Sequence, residues 1–113
     1  MEPVEDNAPV IAIIAELFKR RVAESKMRVI DLAEELSKRL NGEVNPKSAK
    51  DLVHYYRSGI VYGTTSGQTM ADDVLARDRL GRFAVALDIL GVKEDDPLVD
   101  YVRELDPRFV YPI

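Results

Sequence analysis

Apolar residues return at helical spacing along most of the chain. Val10, Ile11, Ile13, Ile14, Leu17, Phe18 and Val22 make one broad stripe, with Glu16, Lys19, Arg20 and Glu24 lying off it. This predicts a helix that opens at Asn7 or Ala8, holds Pro9 in its first turn and ends near Ser25, after a loose acidic start over 1–6. Val29, Leu32, Ala33, Leu36 and Leu40 predict a second helix over 28–40, stopped by Asn41-Gly42. Ala49, Leu52, Val53 and Tyr56 predict a third, with Asn45 as its cap, Pro46 at its first position and Gly59 as its stop. Its other side carries Lys47, Ser48, Lys50, Asp51, His54 and Arg57.

The pattern changes after Gly59. Ile60-Val61-Tyr62 is a short β-prone run, and Gly63-Thr64-Thr65-Ser66-Gly67 is a turn. Thr69-Met70-Ala71-Asp72 resembles a capping box and predicts a fourth helix toward Gly91, with Gly81 as a point of kinking or close packing. Within it, residues 83–90 are apolar almost all round, which marks a segment covered on every side. Two settings meet that need: the centre of the monomer, or a homodimer contact through Phe83, Val85, Ala86 and Ile89. The short chain favours the dimer. Asp88 inside that run then needs a cation, from Arg82, Arg103 or a symmetry-related Arg. Asp95 or Asp96 caps a fifth helix with Pro97 at its first position, and Asp106-Pro107 ends it. The closing run 108–113 is apolar and is expected to dock, on its own domain or on a partner subunit.

Length and composition narrow the function. At 113 residues the chain suits one domain, 1–113. Cysteine is absent, so no disulfide framework or thiolate metal site exists. His54 is the one histidine, and a lone histidine makes neither a metal site nor a nucleophilic constellation. No catalytic residues, cofactor or metal are expected, and the protein is not read as an enzyme. The acidic start lacks the basic flank of a signal peptide, and no apolar run approaches the roughly 20 residues of a membrane span. The expectation is a cytoplasmic protein without a membrane partner. Heavy use of Ile, Val, Arg and Glu with a single glutamine fits a thermophilic archaeal or bacterial source. Net charge is −4, yet residues 10–63 hold ten bases against seven acids, and residues 64–113 hold six against ten. The basic excess lies with the third helix.

Asp31-Leu32-Ala33-Glu34-Glu35-Leu36, a turn, then Asn45-Pro46-Lys47-Ser48-Ala49-Lys50-Asp51-Leu52-Val53 resembles the bacterial and archaeal helix-turn-helix pattern. Tyr55-Tyr56-Arg57-Ser58-Gly59-Ile60-Val61 resembles a recognition helix running into the wing of a winged-helix domain. The resemblance spans about residues 10–68, leaving 69–113 as a helical dimerisation or support part. It departs from the family in a longer segment between Leu36 and Asn45, and in having only Gln68-Thr69-Met70 to return as a strand. The spacing along the chain predicts a mainly α fold of about five helices, and the resemblance adds a helix-turn-helix core and a rudimentary β wing. It implies that Lys47, Ser48, Lys50 and His54 approach base edges, and that Arg57 and Arg28 sit near phosphates. Thr64 and Thr65 would donate to backbone oxygens. Asp51 would repel phosphate unless it pairs with Lys47 or accepts from a cytosine amino group. The implied function is transcription regulation by a homodimer reading double-stranded DNA. The rival is a small all-helical interaction subunit of a larger nucleoprotein or enzyme complex.

Overall fold

In the computed structural model, backbone is described for residues 3–58 and 73–112, and side chains for 9–58 and 81–112. Five helices are formed among the described residues: α1 Pro3–Ser25, α2 Val29–Arg39, α3 Pro46–Ser58, α4 Asp73–Ile89 and α5 Pro97–Leu105. The fold is mainly α, a single globule, with no strand among the described residues. The expected Gly59 stop, the wing over 60–70 and the capping box at 69–72 lie outside them.

α1 begins earlier than its apolar pattern predicts. Pro3 opens it, where a missing N–H is no loss, so Pro9 sits inside the helix and not in its first turn. Its far end is closed locally. The Ser25 hydroxyl donates to the Val22 carbonyl at 2.6 Å and accepts from Met27 N–H at 3.2 Å, while Lys26 turns the chain at φ 62°. Arg28 then caps α2, its N–H and guanidinium both donating to Asp31.

α2 and α3 are joined by two consecutive left-handed residues, Asn41 at φ 57° and Gly42 at φ 79°. The Gly42 N–H reaches back to the Ser37 carbonyl at 3.1 Å, which satisfies an end group of α2. The buried Ser37 hydroxyl donates to the Val44 carbonyl at 2.7 Å and pins the departing chain to α2. Val44 is itself buried, and Asn45 follows as the cap of α3, accepting Ser48 N–H at 2.8 Å. The direction of α3 is thus fixed by a serine, a glycine and an asparagine within nine residues of chain, 37–45.

One aromatic cluster binds the elements together. Phe18 of α1, Tyr56 of α3 and Phe83 of α4 meet with centroids 4.7–5.5 Å apart, the α3–α4 pair being the nearest. Phe109 of the tail closes on Phe83 at 6.4 Å and stacks on Tyr111 at 6.1 Å. Edge-on ring pairs of this kind add to what burial alone contributes.

This cluster places Phe83 and Ala86, two of the four residues expected at a dimer contact, inside the monomer. Phe83 and Ala86 have no exposed surface, and Leu87 and Ala84 are buried beside them. The run 83–90 is the centre of the monomer, with Val85 and Ile89 half-buried against the same core. Asp88 stands exposed at the edge and pairs with Arg39 of α2, not with Arg82 or Arg103. α4 runs through Gly81 with nothing among the described residues within 4 Å of where a Cβ would stand.

α5 is capped by Asp96, which accepts Leu98 N–H at 2.9 Å. The same carboxylate takes two guanidinium bonds from Arg21 of α1, at 2.8 and 3.0 Å. Those bonds, with the Leu98 N–H, hold the Asp96 carboxyl below the usual carboxylate range. The tail docks on its own domain, one of the two settings expected. The Tyr111 hydroxyl donates to the Val92 carbonyl and Arg103 donates to the Tyr111 carbonyl, leaving Val110 facing solvent.

Candidate nucleic-acid interface

α3 is buried on one side only. Ala49, Leu52, Val53 and Tyr56 face the core. At 100° per residue, the opposite side carries Lys47, Lys50, His54 and Arg57 in one row at offsets 0, 3, 7 and 10. Lys47, Lys50 and His54 are exposed and Arg57 is half-buried.

These cations differ from the arginines of the other helices, and among the described residues share their unpaired state with Lys26, Lys38 and Lys93. Arg20, Arg21, Arg28, Arg39, Arg103 and Arg108 each stand within 4.0 Å of a carboxylate. Among the described residues, none of Lys47, Lys50, His54 and Arg57 is held in an ion pair. A cation already paired must break that pair to meet a phosphate, whereas an unpaired one gives up only water. The α3 row is therefore positive charge directly available to an anionic partner.

Arg28 does not join the row. It lies at the mouth of α2, with its guanidinium on Asp31 at 2.9 and 3.0 Å. That contact raises Arg28 and lowers Asp31 from their ordinary pKa values. Ser48 also lies apart, on the flank of α3 turned toward the α2–α3 turn. Thr64 and Thr65 fall outside the described residues.

That flank holds a groove of roughly 360 Å³. Ser48, Asp51 and Tyr55 of α3 form one wall, buried Val44 and Leu52 form the floor, and Arg82 of α4 stands on the other side. Tyr55 is 41% exposed. Asp51 is exposed and engaged by neither Lys47 nor any other described cation. The spacing 48, 51, 55 puts these side chains on one helical face, a signal present in the sequence but hidden there by the neighbouring lysines. A larger groove of roughly 570 Å³ lies between the end of α1 and the α4–α5 link, but Arg21 and Asp96 on its wall are bound to each other.

Among the described residues no group of three or more His, Cys, Asp or Glu could hold a metal, and no helix is long and apolar enough to cross a membrane. Compared with protein-family models, curated proteins and solved structures, the chain matches none.

Proposed function

We propose that the protein binds double-stranded DNA through α3, as a small cytoplasmic regulator of transcription. The observation that carries this reading is the row of unpaired cations on a helix whose opposite face is locked into the core. Positive groups on a rigid element meet phosphates without reorganising the fold, and a helix presented this way fits the major groove. Lys47 and Lys50 donate to base edges or phosphates, and His54 and Arg57 extend the contact along the helix. The acidic balance of the rest of the chain confines the attraction to this face. A homodimer would set two such helices in successive major grooves about 34 Å apart. Its contact would use surface other than Phe83 and Ala86, which each copy keeps inside.

The test is substitution on the exposed row. Lys47→Ala and Lys50→Ala should each weaken binding to duplex DNA while circular dichroism and thermal stability stay as they are, since both side chains are exposed. Unchanged affinity in both variants would show that α3 is not the contact, and would favour the interaction-subunit reading.

A further inference from the structure

The groove beside α3 contains chemistry that the cation row does not use. Asp51 would be a poor neighbour for phosphate, yet it stands exposed and without an ion pair among the described residues. One turn away on the same helical face is the ring of Tyr55, 41% exposed and in no ring contact among the described residues. Ser48 completes the wall, and Val44 and Leu52 give an apolar floor to a space of roughly 360 Å³. A flat aromatic surface, an apolar floor and a free carboxylate at the rim together suit a flat, uncharged ring that presents N–H donors.

We infer that this groove receives an unstacked guanine base. Among the bases, guanine offers two adjacent donors on its pairing edge, the ring N1–H and the exocyclic N2 amine, and a carboxylate accepts both at once. The Asp51 carboxylate takes that edge, the Tyr55 ring stacks on the base, and the Ser48 hydroxyl is placed for a further hydrogen bond. This inference rests on α3 being the nucleic-acid interface: the cation row holds the backbone, and the groove holds a base that has left the stack. Presence of Asp51 next to Lys47 and Lys50 then has a purpose, since it discriminates among bases where the lysines do not.

Fluorescence anisotropy with three short labelled duplexes tests it: one fully paired, one with a single bulged dG, and one with inosine in that bulge, which lacks the N2 amine. The bulged dG duplex should bind roughly tenfold more tightly than the paired one, the net worth of a stack and a doubly bonded edge together after the cost of unstacking. Inosine, Asp51→Asn and Tyr55→Leu should each remove that gain, and Tyr55→Phe should keep it. Equal, salt-sensitive binding of all three duplexes would overturn the guanine site and leave the α3 interface standing. A gain that survives Asp51→Asn would also overturn it. Binding to none of the duplexes would overturn both readings.

Discussion

Phe83→Ala is the substitution that most sharply separates a monomer core from a subunit contact. Phe83 has no exposed surface and touches Tyr56 at 4.7 Å, Phe18 at 5.5 Å and Phe109 at 6.4 Å between ring centres. Truncating a buried phenylalanine costs about 3–5 kcal/mol, through lost transfer energy and the cavity left behind. With three ring neighbours on different elements, collapse around the gap is difficult, so the loss belongs near the top of that range. Small domains have only about 5–15 kcal/mol in all, so the variant should be close to unfolding. Phe83→Leu keeps most of the volume and should lose about 1–2 kcal/mol, which gives a measurable folded variant. The assay is urea unfolding at two protein concentrations a hundredfold apart. An interior residue lowers the midpoint by the same amount at both concentrations, because it takes no part in any association step. A small loss that grows on dilution, with the variant shifting to a stable monomer, would place Phe83 between subunits and refute the argument.

Other parts of the structure make their own predictions. Asp96→Asn should destabilise by about 1–2 kcal/mol at neutral pH, chiefly through the lost ion pair with Arg21, since asparagine still caps a helix. The folded Asp96 carboxyl titrates below its unfolded value, so its contribution is present above the ordinary carboxylate range and is lost as pH falls through the folded value. Thermal melts of the two proteins should therefore converge in strong acid and differ at pH 7. Ser37→Ala should cost about 1–3 kcal/mol in thermal denaturation, because the buried Val44 carbonyl loses its donor. Gly42→Ala should cost about 1 kcal/mol from its left-handed backbone alone, since a Cβ there meets nothing within 4 Å.

The sequence signals that predicted structure well were those that depend on local chemistry. Asn45-Pro46 and Asp96-Pro97 cap and open helices through bonds within a few residues, and both helices begin where those residues place them. The stripe Ala49, Leu52, Val53, Tyr56 is the buried side of α3, because a 3.6-residue period leaves it one face to hide. What the sequence could not show was the pairing of distant residues. Arg21 follows Lys19 and Arg20 along the chain, with nothing local to mark it, yet it reaches across 75 residues to Asp96. The run 83–90 fits core or contact, with the short chain favouring contact, and the meeting of Phe18, Tyr56 and Phe109 around Phe83 puts that ring inside the monomer. At the candidate interface, the row from Lys47 to Arg57 follows from helical spacing alone. The separation of Ser48, Asp51 and Tyr55 into a groove depends on Val44 and Arg82, which the pattern of α3 cannot reveal.

The central claim is that α3 offers free positive charge to a nucleic-acid backbone. The direct measurement is the affinity of the folded protein for random-sequence duplex DNA across a range of salt. With Lys47, Lys50 and Arg57 each releasing about one counterion, log affinity should fall with log salt at a slope of about −2 to −3, and Lys50→Ala should make that slope shallower by about 1. A folded protein that shows no binding at low salt, or binding indifferent to salt, would contradict the account.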